Sequence, residues 1–371
     1  MGPLNGIKVL EFSGIGLGPF CCMMLADMGA EVVSIQRKKR PEVGFSGVLN
    51  RGRCSVCLDL KVAEDVGIAL RLVEHADALV EGFRPGVMER LKLGPDDCLA
   101  RNPRLIYARV TGWGQTGPLR NAAGHNINYI ALTGALHAIG AANQKPVVPL
   151  NLLGDFAGGG LLSAFAVVCG ILEARKSGRG QVIDVAMVDG TALLMGMIFD
   201  FTARGQWTSE RGTNLLDGGV ADYNTYECAD GKYIAIGSLE SEFYALLRSK
   251  LGLDGEADHD MRLLYSPLRE QKFAAIFKTR TRAQWCELLE GTDACFAPVL
   301  DLDEAPRHAH NLARQTFIDI DGTLQPAPAP KFSRTPGHVR PKPTRAEIGS
   351  VLSNWGLTPS ESDKAVQHSS T

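Results

Sequence analysis

This 371-residue sequence is short of several things, and each shortage removes a class of function. It has no excess of one charge: 39 lysines and arginines stand against 41 aspartates and glutamates, a formal net charge of −2. That leaves no global electrostatic case for a nucleic-acid partner. Its apolar runs, such as Leu161 to Leu172, are too short and too rich in small residues to predict a membrane span, so no membrane partner is expected. No secretory leader is visible, because Met1 to Gly6 runs directly into a strand pattern, and His368-Ser369-Ser370-Thr371 is not a Ser-Lys-Leu address. The expected location is cytoplasmic. The sequence holds neither a G-x-S-x-G elbow nor a P-loop. Metal-ligand spacing is missing too; His308-Ala309-His310 pairs two histidines without it, and no metal is expected. The nine cysteines are odd in number and scattered, which predicts reduced thiols rather than a disulfide framework. Cys54 and Cys57 imitate a redox pair, but Cys54 to Leu60 reads as a strand, where positions three apart face opposite ways.

What is present is an ordinary globular composition, 45% hydrophobic and 22% charged, long enough for two or three domains with real cores. Strand patterns at Ile7 to Phe12, Glu31 to Ile35, Ala78 to Glu81 and Leu105 to Val110 alternate with helical ones at Phe20 to Met28 and Ala63 to His75. Such alternation predicts βαβ units and a mostly parallel, Rossmann-like sheet. Further on, Asp155 to Arg175 predicts a long small-residue helix, Gln181 to Val185 a strand, and Met187 to Phe201 one more helix. A second unit opens with Tyr223 to Cys228, the turn Asp230-Gly231 and Tyr233 to Ile236, a hairpin signal. Helical patterns follow at Ser241 to Leu251, Glu270 to Phe277 and Arg282 to Leu289. The expected division is a large α/β domain over 1–200, a linker over 201–222, a smaller α/β domain over 223–310, and a return segment over 311–371 that packs on the large domain. Pro326 to Pro343 is proline-rich and reads as extended chain.

Two segments concentrate chemistry. Gly124-His125-Asn126-Ile127-Asn128-Tyr129 sets an imidazole beside a glycine just before the helical pattern Ile127 to Ile139, amid polar residues where apolar ones would be expected. Asn151-Leu152-Leu153-Gly154-Asp155 sets a carboxyl before Gly158-Gly159-Gly160. Asp155 reads as a helix cap on its own. Three glycines in the first turns of a helix, however, cost roughly 1 kcal/mol each relative to alanine, which makes sense where a ligand or another backbone lies against that turn. A histidine and a carboxyl at helix starts, with free N–H groups nearby, are the parts needed to move a proton on carbon and hold the resulting enolate. Glycines 14, 16 and 18 form G-x-G-x-G, not the dinucleotide fingerprint, and argue against NAD while allowing close backbone approach to some ligand. Arg37-Lys38-Lys39-Arg40 reads as a solvated turn or a phosphate seat. Met187, Met195 and Met197 read as core filler or as a deformable apolar surface.

Read together, Leu25-Ala26-Asp27-Met28-Gly29-Ala30-Glu31-Val32-Val33, Glu81-Gly82-Phe83-Arg84-Pro85-Gly86-Val87, Tyr107 to Pro118, Gly124 to Tyr129 and Asn151 to Asp155 resemble the class III CoA-transferase (CaiB/BaiF) superfamily, in its α-methylacyl-CoA racemase branch. The resemblance runs along essentially the whole chain. It implies interlocked homodimers, each active site lying between the large domain of one chain and the small domain of the other. It implies that His125 and Asp155 are the catalytic pair and Glu240 the acidic partner of the histidine. Coenzyme A contacts are implied at Arg37, Leu58, Asp59, Leu60, Lys61, Gly82, Phe83, Arg84, Arg90 and Gly124 through Tyr129, and an acyl surface at Met187, Met195 and Met197. No cofactor is implied, since coenzyme A is part of the substrate. The implied reaction is epimerisation of (2R)- and (2S)-2-methylacyl-CoA by proton transfer through an enolate. One departure is visible: Asn126 stands where close relatives often have aspartate. Two other readings stay open. In a CoA-transferase Asp155 would be a nucleophile, but such relatives carry a glycine-rich loop in the small domain, and Gly237-Ser238-Leu239-Glu240-Ser241-Glu242 has no glycine run. The other is a non-catalytic CoA- or NAD-binding protein.

Overall fold

The computed structural model describes residues 2–12, 14–37, 47–254 and 267–366. The basic residues Lys38, Lys39 and Arg40 fall outside them. Six strands, β1 (Lys8–Phe12), β2 (Glu31–Gln36), β3 (Arg53–Cys57), β4 (Ala78–Glu81), β5 (Ile106–Thr111) and β6 (Gln181–Ala186), form one sheet in the order β3-β2-β1-β4-β5-β6. Every pairing in it is parallel. The inner strands are buried along nearly their whole length, as parallel strands covered by helices on both faces must be. This is the doubly wound arrangement, with its reversal of strand order between β1 and β4. Cys54 and Cys57 are both buried on β3, and all nine cysteines are free thiols.

The chain divides into two compact units, one made of 1–133, 150–194 and 318–371, the other of 134–149 and 195–317. The second contains an antiparallel sheet of β7 (Tyr223–Glu227), β8 (Tyr233–Gly237) and β9 (Phe296–Pro298), backed by Tyr226, Phe273, Phe277 and Trp285. The short strands β10 (Phe317–Ile320) and β11 (Thr323–Pro326) pair with each other. Leu352 and Val366 from the C-terminal helices Arg345–Asn354 and Pro359–Val366, with Trp355 just after the first of them, join the core around β2 and β3.

Three helical expectations need correction. The helix predicted through Ile139 stops at Leu132, because Gly134 takes a positive φ of 82° that no helix continues through, and a short helix Ala135–Ala138 follows. The helix from Met187 is broken at Met195 into Met187–Leu194 and Gly196–Ala203. Asp155 caps nothing: it lies inside a π-helix, Leu152–Leu161, which runs straight into the α-helix Leu162–Ser177. The joined helix, Leu152–Ser177, is 26 residues long and apolar enough to cross a membrane by length and composition, with 44% of its most apolar window buried. The run at Leu161–Leu172 therefore understates it.

Candidate active site

Eight of the residues picked out for coenzyme A stand where a strand of the six-stranded sheet ends. Arg37 follows β2 directly, Leu58 to Lys61 follow β3, and Gly82 to Arg84 follow β4. The carboxyl edge beside the β1/β4 reversal is where open α/β sheets leave a crevice for ligands. Arg37 stacks its guanidinium over Phe83, 5.7 Å from the ring centre. Leu58 is buried, while Asp59 folds back so that its Oδ1 accepts the Lys61 N–H at 3.1 Å.

The loop after β4 is anchored from below. Glu81, buried at its strand end, accepts the Phe83 N–H at 2.7 Å and the Arg109 Nε–H at 3.1 Å. Arg109 also donates to Glu89 at 2.7 Å, which ties the loop carrying Arg84 to the helix Val87–Arg90. Burial raises the Glu81 carboxyl to about 7, with the Phe83 N–H and Arg109 opposing it. Above this network opens a cleft of about 600 Å³ lined by Arg84, Arg90, Arg109, Arg120, Gln115 and Glu89, among others. The one acid among these is committed to Arg109. The Gln115 Nε2 is buried and has no hydrogen-bond partner among the described residues. The cleft can hold an anion of the size of a diphosphate. Sequence reading missed Arg109, Gln115 and Arg120, whose role depends on folding that no local pattern records. Neither His125 nor Asp155 lines this cleft.

His125 is the N-cap of the helix Asn126–Leu132 and is exposed; its N–H donates to Asn128 Oδ1 at 3.0 Å. Asn126, Tyr129 and Ile130 turn inward, Ile127 and Asn128 outward. Tyr129 donates its hydroxyl to the Gly124 carbonyl and meets Trp113 edge-on, with ring centres 4.7 Å apart. A Cβ on Gly124 would lie 2.8 Å from Tyr129 and 3.2 Å from Trp113. Gly124 is therefore small to admit these two rings, a structural demand that the sequence reading attributed to a ligand.

The π-helix presents Asp155 by the same logic. The Phe156 N–H reaches the Asn151 carbonyl, five residues back, at 3.3 Å. A Cβ on Gly158 would sit 2.9 Å from Thr191, and one on Gly160 would sit 2.7 Å from Phe20 and 2.9 Å from the Leu17 carbonyl. The glycine triplet thus lets two neighbouring helices approach, Leu17–Asp27 on one side and Met187–Leu194 on the other. Half-buried, Asp155 has its pKa raised by burial, which the Asn151 amide (3.3 Å) and His125 oppose. Its Oδ2 lies 3.6 Å from where a Cβ on Gly16 would stand, so the glycine loop after β1 borders the carboxyl directly. Asp155 in turn raises the Tyr129 hydroxyl, after burial, while Arg84 lowers it. His125, Asp155, Tyr129 and Arg84 thus share one electrostatic neighbourhood.

The remaining candidates are placed elsewhere. Met187 is buried against Gly159, whereas Met195 and the exposed Met197 belong to the second unit. Glu240 is exposed there, directly before the helix Ser241–Lys250, with no capping bond from its side chain. A separate cavity of about 660 Å³ in that unit is walled by Tyr223, Ile236, Cys295 and Phe296. His308 pairs with Glu290 at 2.8 Å, and no cluster of three or more metal-ligating side chains occurs among the described residues.

Fold and site together define a doubly wound α/β protein with an arginine-lined crevice and an imidazole–carboxyl pair at two helix starts beside its carboxyl edge. The chain belongs to CoA-transferase family III, whose sequence profile matches residues 4–347. It is 47% identical to the alpha-methylacyl-CoA racemase of Mus musculus and 45% identical to that of Homo sapiens, each alignment covering 90% of this chain and 87% of the relative. The same fold is seen in a crystal structure of a CAIB/BAIF family protein from Brucella suis, with a TM-score of 0.77 and 24% identity over 95% of this chain and 99% of that one.

Proposed function

We propose that the protein interconverts the (2R) and (2S) epimers of 2-methylacyl-CoA thioesters, with His125 and Asp155 as the two acid–base groups. A thioester acidifies its α-carbon because the carbanion delocalises onto the carbonyl oxygen. One group removes the α-proton, the enolate forms, and the other returns a proton to the opposite face. Backbone N–H groups near Asn126, at the start of the helix Asn126–Leu132, would hold the enolate oxygen. No metal or cofactor enters this scheme; the thioester is the electron sink. The observation that carries the reading is Asp155 itself, a carboxyl whose burial favours its neutral form and which lies within electrostatic reach of an exposed imidazole. The arginine cleft supports a phosphate-bearing substrate, and Glu240, by family resemblance, would orient the imidazole from a second copy of the chain in a homodimer. Free thiols agree with a cytoplasmic setting.

The test is incubation of a single epimer of a 2-methylacyl-CoA in D₂O. The expected result is α-deuterium incorporation with epimerisation and no acceptor acid. Reaction only with an acceptor acid would instead assign Asp155 as a transferase nucleophile, and no reaction at all would reduce the protein to a binder. His125→Ala should lower epimerisation by about 10²–10⁴-fold, the usual contribution of a general acid–base group; turnover at the wild-type rate would remove the histidine from the mechanism.

A further inference from the structure

The helix that carries Asp155 has no side-chain cap of its own: its preceding residue, Asn151, makes no capping bond. Two N–H groups of its first turn, those of Gly154 and Asp155, are nonetheless satisfied from outside the helix. Asn126, 8% exposed, reaches across from the start of the helix Asn126–Leu132. Its Oδ1 accepts the N–H of Gly154 at 3.0 Å and that of Asp155 at 3.0 Å, while its Nδ2 donates to the Leu150 carbonyl at 2.9 Å. Leu150 is held at a positive φ of 56°, a costly conformation for a leucine. A Cβ on Gly154 would come 2.4 Å from the Asn126 Oδ1, so the glycine there makes room for the amide. Two acceptor bonds and one donor bond converge on one short segment, and the two ends of the Asn126 carboxamide supply both kinds.

We propose that Asn126 is the positioning residue for Asp155: it caps the π-helix from outside and fixes the height at which the carboxyl enters the site. This rests on the proton-transfer reading above and extends it. His125 does not depend on the same bonds, since its own N–H is held by Asn128. Loosening Asn126 therefore disturbs one of the two acid–base groups and spares the other. An aspartate at 126 would keep both acceptor bonds, but it would turn a negative oxygen toward the Leu150 carbonyl and add a like charge beside Asp155.

The test measures α-proton loss and inversion separately from each epimer in D₂O at early times. In Asn126→Ala, kcat should fall by about 10²-fold, the typical cost of misplacing a reacting group by an ångström, with KM unchanged. Reprotonation by Asp155 becomes the slow step. The epimer deprotonated by His125 should then exchange its α-proton faster than it inverts, whereas the epimer deprotonated by Asp155 should not. A loss of folded protein would scale all four rates together. In Asn126→Asp, which keeps two of the three bonds, the Asp155 limb of the pH–rate profile should move to higher pH. Equal losses from both epimers with an unmoved limb in Asn126→Asp would overturn the proposal alone. Absence of exchange in the wild-type protein would overturn the reading beneath it.

Discussion

Asp155 and Arg109 share one problem, burial of a charge, and meet it differently. Arg109 keeps its charge by binding two carboxylates, Glu81 at 3.1 Å and Glu89 at 2.7 Å. Asp155 has one amide at 3.3 Å and the charge of His125 to oppose burial, and burial outweighs both, so its carboxyl stays protonated to higher pH than an ordinary aspartic acid. The first arrangement builds a fixed anchor, the second a group able to give and take a proton. Asp155 was legible in the sequence because its neighbours broke a local rule: glycines stood where a helix wants alanine. Arg120 broke none, and one exposed arginine reads like any other until folding sets it beside Arg84 and Arg90. Its role predicts a selective phenotype. Arg120→Ala should raise KM for a CoA thioester about fivefold, the equivalent of about 1 kcal/mol for an exposed charge contact. The value of kcat should not move, because the residue lines the arginine cleft, which neither His125 nor Asp155 lines. Steady-state kinetics check this, and a fall in kcat at constant KM would place Arg120 outside substrate binding.

Among the elements, the π-helix Leu152–Leu161 was read as the start of an ordinary α-helix with Asp155 as a possible cap. The reason is physical: over ten residues the two helices differ too little in period for an apolar pattern to separate them. The three glycines did announce a close approach, and the structure shows that helices fill it. Gly190 is the other half of that contact, for a Cβ there would lie 2.0 Å from the Gly158 carbonyl. No rotamer relieves such a clash, since both sides are backbone. Gly190→Ala should therefore destabilise the protein by about 1–3 kcal/mol, as overpacking does, and push the π-helix away from its seat. Thermal melting measures the first effect and the epimerisation rate the second. An alanine variant with wild-type melting and rate would mean that the contact is looser than 2.0 Å implies. The strands were easier to read than this helix, because β1, β4 and β5 are mostly apolar and buried along nearly their whole length, as a parallel sheet covered on both faces demands.

For the whole molecule, the order β3-β2-β1-β4-β5-β6 turns a scattered set of positions into one edge. Alternating strands and helices predicted the parallel sheet, but not that Arg37, Leu58 and Gly82 would end up side by side, because strand order is a tertiary property. A second consequence of scale concerns surface. On the helix Leu162–Ser177 and the residue before it, Leu161, Phe165 and Leu172 are 49%, 64% and 55% exposed, at spacings of four and seven that put them on one face. Leu193 and Leu194, at the end of the helix whose Gly190 packs on this one, are 70% and 50% exposed. Exposed apolar side chains of that kind call for a cover, and the homodimer proposed above would supply one, a second copy of the chain. Sedimentation equilibrium should return twice the 39.9 kDa of a single chain. Phe165→Asp, which puts a charge on the face without touching the sheet, should shift the population toward monomer or aggregate. The proton-transfer chemistry should fall with it, since Glu240 would then have no partner's His125 to orient. A wild-type monomer that epimerises its substrate at full rate would show that His125 works without a second chain, and that the exposed face has some other purpose.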